Sequence, residues 1–353
     1  MRIGIIGAGI HSEVHLAGYA MTPHINVVAV TDVNQPRAQQ IAATYGIAKV
    51  FGSAAELIAC ADVDLVDVIT PPTAHREPVL TVLNAGKPVL CEKPLSLEPD
   101  EASELDAAAN AASLLAATSF NRRFDPAMRY LRDLVADGFI GEHRMTTVNV
   151  ITAWERMHGA DASGDFRQWL RSPDTGGGFL RGALPHYVDL LRYLLGEAGV
   201  SSATLRSATA TQPSGSVSDD IVLVTGTLAA GGVYSVAMTW SAASDAGERW
   251  SVVGSERTIV VEPGGSMTAT DAAGQTSALT VPAGYRPAAV KGESGFGFGS
   301  GGSWAFAAMM DHLAACVAGG DDLPVFATFG DGARNAQLIA DIYRLASAPM
   351  AAS

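Results

Sequence analysis

The sequence predicts an α/β fold in two parts: a doubly wound parallel sheet over residues 1 to about 120, then a domain built on an antiparallel sheet. Three observations predict it. The apolar run Ile3-Gly4-Ile5-Ile6 has the length of a buried strand and runs straight into Gly7-Ala8-Gly9-Ile10-His11-Ser12. Strand-like and helix-like segments then alternate up to Thr118. Beyond Ala203 the pattern changes to short alternating runs, such as Ile221-Val222-Leu223-Val224 and Val233-Tyr234-Ser235-Val236, divided by Gly231-Gly232 and Pro263-Gly264-Gly265.

In chain order, the first strand is followed by a glycine turn and a second strand, Val27-Val28-Ala29-Val30, which ends at Asp32. Gln35 to Tyr45 is predicted helical, with Pro36 in its first turn and Gly46 as its stop. Leu65 to Ile69 is a strand ended by Thr70-Pro71-Pro72, and Ala74 to Ala85 a helix closed by Gly86. Val89-Leu90-Cys91 and Leu114 to Thr118 are the next strands. Further on, Phe124 to Ala136 reads as helix, Arg144 to Thr152 as strand and Phe179 to Leu195 as an amphipathic helix. Two helices, Trp304 to Val317 and Gly330 to Ser347, follow a glycine-rich loop that carries Phe296 and Phe298. The expected domains are 1–120 and 121–353.

Glycines directly after a strand allow a tight turn and close approach of backbone N–H groups to a pyrophosphate at a helix N-terminus. Gly7, Gly9, Ile10 and His11 are the candidates, with Ser12 where a third glycine is usual. Asp32 lies about 20 residues on, where the fingerprint places the acid that holds a ribose 2′-hydroxyl. A carboxylate there repels a 2′-phosphate, so NAD is expected over NADP, although Arg37 keeps NADP open. Cys91-Glu92-Lys93-Pro94 places a carboxylate and an amine at the C-terminal end of a strand, the edge where open α/β sheets bind ligands. Burial beside a cofactor pulls a lysine toward a useful pKa, which makes Lys93 the candidate acid/base.

A net charge of −13 disfavours nonspecific binding to nucleic acid or anionic membranes. Three cysteines without paired spacing give no disulfide framework, and the chain passes from Met1-Arg2 directly into a strand. A cytoplasmic protein is the expectation. His11 and His15 have metal-like i, i+4 spacing but lie on the helix expected at the pyrophosphate, without a visible third ligand, so no metal is expected. Cys91 reads as a small buried strand residue.

Thr70-Pro71-Pro72-Thr73-Ala74-His75, Glu92-Lys93-Pro94, Asn121-Arg122-Arg123-Phe124, and Gly176-Gly177-Gly178 followed by His186 and Asp189 appear in that order after the glycine turn and Asp32. In these motifs the chain resembles the Gfo/Idh/MocA oxidoreductase family over nearly its whole length. The resemblance implies an N-terminal Rossmann domain and a C-terminal α/β domain with a large, mostly antiparallel open sheet whose exposed face pairs copies into dimers or tetramers. It also implies a nicotinamide cofactor and hydride transfer with a small cyclic, sugar- or inositol-like substrate. By that resemblance Lys93 sits beside the nicotinamide and the reacting oxygen, and Glu92 holds the nicotinamide ribose. Thr70, Pro71 and His75 line the cofactor cleft, and Asn121 sits where the domains meet; a plainer role for His75, near a helix start, stays open.

The chain departs from the family's polyol-oxidising pattern at Gly182, which stands where an acid usually precedes the histidine by four positions. His186 is then a base without that carboxylate. Gly182, Ala183 and Leu184 are expected to form a smaller, more apolar wall, and Trp154, Trp169 and Phe296 are candidate pocket residues. Redox-neutral chemistry through transient oxidation, and a non-catalytic nicotinamide sensor or scaffold, remain as alternatives.

Overall fold

The computed structural model describes residues 1–153, 179–207, 219–293, 295–296, 302–320 and 325–347 of the chain. Chain contacts divide into two units. The first holds Met1–Phe124, Arg286–Ser294 and Gly301–Ala336; the second holds Asp125–Tyr285, Gly295–Ser300 and Gln337–Ser353. The cut expected near residue 120 therefore marks only the first crossing, because the chain returns to the first unit after residue 285.

The first unit is a seven-stranded sheet in the order β15-β6-β5-β4-β1-β2-β3. Its strands are β1 (Arg2–Ile6), β2 (Asn26–Thr31), β3 (Lys49–Val50), β4 (Leu65–Val68), β5 (Val89–Cys91), β6 (Ala116–Thr118) and β15 (Ala327–Thr328). The first six are parallel neighbours, as crossover helices require, and β15 closes the edge antiparallel to β6. The helices are α1 (Ile10–Ala20), α2 (Gln35–Tyr45), α3 (Ala54–Ile58), α4 (Arg76–Asn84), α5 (Pro99–Ala112) and α8 (Gly302–Val317). Helix α2 has its predicted bounds because the Asn34 side chain caps its start and Gly46 ends it in the left-handed region. The predicted helix from Ala74 is split into a 3-10 turn, Pro72–Ala74, and α4. Strand β6 starts two residues late because Ser113, with φ 53°, ends α5. In this unit sequence reasoning left out α3, α5 and the two-residue strands β3 and β15.

Two buried clusters flank this sheet, one around Ile3, Ile5 and Leu90 with α8, the other around Val66, Val68 and Val89 with α4 and α5. Helix α8 approaches α1 at Gly18. A Cβ there would stand 2.6 Å from the Phe306 ring and 2.9 Å from the Ser303 carbonyl oxygen.

The second unit is an eight-stranded sheet in the order β14-β13-β12-β11-β7-β10-β9-β8. Its strands are β7 (His143–Ile151), β8 (Ala198–Arg206), β9 (Ile221–Leu228), β10 (Val233–Thr239), β11 (Gly247–Gly254), β12 (Arg257–Val261), β13 (Met267–Asp271) and β14 (Thr276–Leu279). Every pairing is antiparallel except β7 with β10. Along β9, Val222, Val224 and Leu228 face inward while Leu223, Thr225 and Thr227 face out, the alternation of a half-covered sheet. Helices α6 (Pro126–Ala136) and α7 (Phe179–Leu195) add their apolar faces to the inner core. Helix α6 starts at Pro126, after Asp125 caps it, because Phe124 closes a 3-10 turn, Asn121–Phe124. Helix α9 (Phe329–Ser347) gives its first residues to one unit and its last to the other.

Gly18→Ala forces a methyl group into the Phe306 ring, and overpacking of this kind costs about 1–3 kcal/mol. Urea unfolding of the variant should show that loss with far-UV dichroism unchanged; wild-type stability would contradict the packing described.

Candidate functional site

Parallel register brings the sequence motifs of the first unit to one sheet edge. Ile6 pairs with Thr31 and with Val68, and Val68 pairs with Cys91. The residues just beyond these strand ends therefore stand side by side: Gly7 after β1, Asp32 after β2, Ile69 and Thr70 after β4, and Glu92 and Lys93 after β5. The ladder runs one step further, with Gly7 N donating to Thr31 O (2.9 Å), Ile69 N to Ile6 O (2.8 Å) and Glu92 N to Val68 O (2.9 Å).

Gly7 takes φ +105°, and a Cβ there would lie 2.8 Å from the Ile69 carbonyl group, so both conformation and space require glycine. Gly9 is different. It precedes α1 with φ −65°, and its missing Cβ would meet no atom within 4 Å. The space over it is an open cradle at a helix start, with Ile10 more than half exposed beside it. Ser12, in the place of the third glycine, is buried and donates its hydroxyl to Gly9 O at 2.6 Å.

Asp32 closes this loop from the second strand. Its Oδ2 accepts from Ala8 N (2.6 Å) and its Oδ1 from Asn34 N (2.7 Å). Arg37 grips the same residue from α2: its Nε donates to Ala8 O (3.0 Å), and its guanidinium also pairs with Glu13 and Gln40. Thr70 donates its hydroxyl to Ala74 O (3.0 Å), and Pro71 is exposed next to it. His75 is fully buried, with Nδ1 3.0 Å from Leu95 O and Nε2 2.8 Å from Thr70 O. Both nitrogens face backbone carbonyls, so the ring ties Leu95 to the Thr70 loop. Burial holds its pKa below the ordinary value although the two carbonyls raise it. Asn121 donates its amide to Gly302 O at 2.9 Å, linking the 3-10 turn to the start of α8.

The Glu92–Lys93 edge rests on a buried charge cluster that sequence reasoning missed. His15, from α1, is 1% exposed. Its Nδ1 is 2.8 Å from Asp67 Oδ2 and its Nε2 is 2.9 Å from Glu92 Oε1. Tyr19 donates its hydroxyl to Asp67 Oδ2 at 2.7 Å. The other Glu92 oxygen, Oε2, accepts from Lys93 N at 3.0 Å. Burial alone would lower the His15 pKa, but Asp67 and Glu92 outweigh it and raise the ring to about 9. Burial alone would raise Glu92, but the bond from His15 and the nearby cations hold it well below the usual carboxylate range. His11 Nε2 lies 3.9 Å from Glu92 Oε2, beyond hydrogen-bond distance, and desolvation keeps its pKa below the ordinary value despite that carboxylate.

Lys93 is half-buried; desolvation lowers its pKa and Glu92 raises it, with a net shift below the ordinary lysine value. That is the direction required of an amine that exchanges protons with a substrate oxygen. Burial pushes the Cys91 thiol well up, so no thiolate is available there. The i, i+4 histidine pair thus diverges: His15 turns inward to carboxylates and His11 stays near the surface. One sequence signal was available, an aspartate inside the apolar strand Leu65-Val66-Asp67-Val68.

In the second unit α7 carries His186 and Gly182, both partly exposed. The apolar wall expected of Ala183 and Leu184 is corrected: both are buried in the core cluster, at 1% and 0% exposure, because helical periodicity turns them inward. Arg181 stacks over the Tyr343 ring, 4.8 Å from its centroid. Arg192 pairs with Glu197 at 2.7 Å. Phe296 packs partly buried against the same core, beside Gly265. Trp154, Trp169, Phe298 and the triple glycine lie outside the described residues.

Residues 1–120 match the GFO_IDH_MocA model, described as an oxidoreductase family with an NAD-binding Rossmann fold, and residues 128–260 match the GFO/IDH/MocA C-terminal domain. D-glucoside 3-dehydrogenase of Escherichia coli (strain K12) is 32% identical over 208 residues, 59% of this chain and 57% of that protein. Inositol 2-dehydrogenase of Rhizobium meliloti (strain 1021) is 31% identical over 201 residues, 57% of each. The matched region thus spans a little over half the length of these relatives. Levoglucosan dehydrogenase, solved with NADH and levoglucosan, has a TM-score of 0.83 at 23% identity, covering 98% of this chain and 97% of that one. An oxidoreductase domain protein from Kribbella flavida gives 0.83 at 23%, covering 98% and 96%. These two likenesses establish the fold. No helix among the described residues is long and apolar enough to cross a membrane.

The His15 shift sets a pH dependence. Its folded pKa, about 9, stands above the ordinary 6.5. The stabilisation is therefore complete below pH 6.5 and lost as pH rises through 9, an effect of up to about 3 kcal/mol. Urea unfolding of wild type should weaken across that window more steeply than His15→Gln; equal slopes would contradict a charged His15.

Proposed function

We propose that this chain, which belongs to the GFO/IDH/MocA oxidoreductase family, is an NAD-dependent dehydrogenase or reductase. Its substrate class is a secondary alcohol, or the matching carbonyl or imine, of a cyclic sugar- or inositol-like small molecule. The observation that carries this reading is the single sheet edge at which the glycine turn, Asp32 and the Glu92–Lys93 pair meet.

The residues at that edge fit a dinucleotide. The cradle over Gly9 admits a pyrophosphate against the start of α1, and Asp32, anchored by Ala8 and Asn34, presents acceptor oxygens to a ribose. Thr70 and Pro71, past β4, flank the same edge. Arg37 supports NAD over NADP, since its guanidinium is committed to Ala8, Glu13 and Gln40. The nicotinamide, when bound, supplies or accepts the hydride. Glu92 holds the nicotinamide ribose. Lys93 gives a proton to the substrate oxygen in reduction and takes it in oxidation, its pKa lowered for both directions by desolvation. In the second unit His186 is the candidate second base, with Gly182 in place of the acid that would charge it.

The glucoside and inositol dehydrogenases among the relatives support a cyclic polyol. The absence of an acid at position 182 is compatible with a second reading, chemistry in which oxidation is transient and no net NADH forms. Copies pair through the outer face of the second sheet, where Leu223, Val233, Met145 and Ile151 are 50%, 47%, 42% and 39% exposed on adjacent strands.

Lys93→Met should lower kcat by at least about a hundredfold, the scale of a lost general acid, while NADH binding followed by fluorescence stays within a few-fold of wild type. Undiminished turnover would remove Lys93 from the mechanism. Leu223→Lys should shift the sedimentation coefficient toward a smaller species; an unchanged coefficient would place the contact elsewhere.

A further inference from the structure

We infer that His15 is a positioning residue for the catalytic edge: a doubly protonated ring, clamped between Asp67 and Glu92, that fixes the Glu92 carboxylate beside Lys93. The inference rests on the reading of Glu92 and Lys93 as the working edge, and it gives that edge a hidden partner from another element of the sheet layer.

The geometry comes from four elements. Helix α1 supplies His15 and Tyr19, β4 supplies Asp67, the end of β5 supplies Glu92, and α8 supplies Phe306, whose ring lies 4.0 Å from that of His15, centroid to centroid. The titratable and charged groups around His15 are thus Asp67, Glu92, Tyr19 and His11, with Lys93 beyond Glu92. Each His15 nitrogen faces a carboxylate oxygen, and an ionised carboxylate only accepts. Two such acceptors on one ring require two N–H donors, which is the imidazolium. Tyr19, whose pKa burial and Asp67 push well up, stays protonated and donates a further bond to Asp67.

Glu92 is consequently held at both oxygens, Oε1 by the His15 ring and Oε2 by the Lys93 backbone N–H. A buried carboxylate without a cation tends to protonate, and would then lose acceptor capacity toward a ribose hydroxyl. The imidazolium prevents this without touching substrate or cofactor. It also offsets the second buried carboxylate, Asp67, whose charge would otherwise add to that of Glu92 at the Lys93 amine.

The test is nuclear magnetic resonance of the full chain labelled at histidine and glutamate, with and without NAD⁺, on wild type and His15→Gln. In wild type both His15 ring nitrogens should remain protonated at pH 8 and Glu92 should stay ionised at pH 5. In His15→Gln the Glu92 titration midpoint should rise by about one pH unit or more, and NAD⁺ affinity should fall as the pH drops through that raised midpoint while wild type changes little. If His15→Gln does not fold, Asp67→Asn leaves the ring one carboxylate and should lower the His15 midpoint. A neutral His15 ring at pH 7, or a Glu92 midpoint unmoved in the variant, overturns the inference. A shifted Glu92 midpoint with pH-independent NAD⁺ affinity upholds it and instead refutes the contact of Glu92 with the cofactor.

Discussion

The structure of the first unit depends on one buried cation held between two buried carboxylates. Placing isolated charges in a protein interior costs several kcal/mol each, and His15, Asp67 and Glu92 are tolerable only together. Their bonds join α1 to β4 and to the end of β5, three elements that meet where the parallel strands end. The same contact that secures this corner of the fold orients the carboxylate next to Lys93. Stability and the proposed chemistry therefore share a constraint: α1 starts at the glycine turn and, little more than one turn further on, brings His15 under the Glu92–Lys93 edge.

The local parts of this arrangement were legible in the sequence. The glycine turn, Asp32 and Glu92-Lys93-Pro94 are contiguous motifs at strand ends, and the bounds of α2 and α7 follow from caps and apolar periodicity. Strand alternation also gave the antiparallel sheet. The His15 cluster was not legible because its partners lie 52 and 77 residues away and only sheet register brings them together. β15 was hidden for a similar reason: two residues carry no periodicity, and the strand exists only because β6 offers an open edge. The i, i+4 histidines, from which no metal site is expected, diverge in the fold, with His15 turned inward to Asp67 and Glu92.

The second unit shows where motif reasoning overreached. Leu184 and Ala183 looked like substrate wall beside His186, yet the helix turns them into the core, where the inner face of the sheet supplies Trp250 and Val224. Gly182 and His186 keep partial exposure on that stretch. A buried polar tie adds to this packing: Glu248 accepts from Tyr187 at 2.8 Å and from Trp250 at 2.7 Å, and so anchors the helix turn that carries His186. Family membership and the Rossmann sheet are settled by the family-model matches and the strand register, while the chemistry is proposed from Glu92, Lys93 and His186.

Hydride transfer is the claim on which the functional account stands. The direct measurement is the fate of deuterium when carbon-deuterated inositols and glucosides are offered to the protein with NAD⁺. The account predicts reduced cofactor carrying the substrate's label at the nicotinamide. Substrate consumed with no label entering the cofactor at any stage would contradict it.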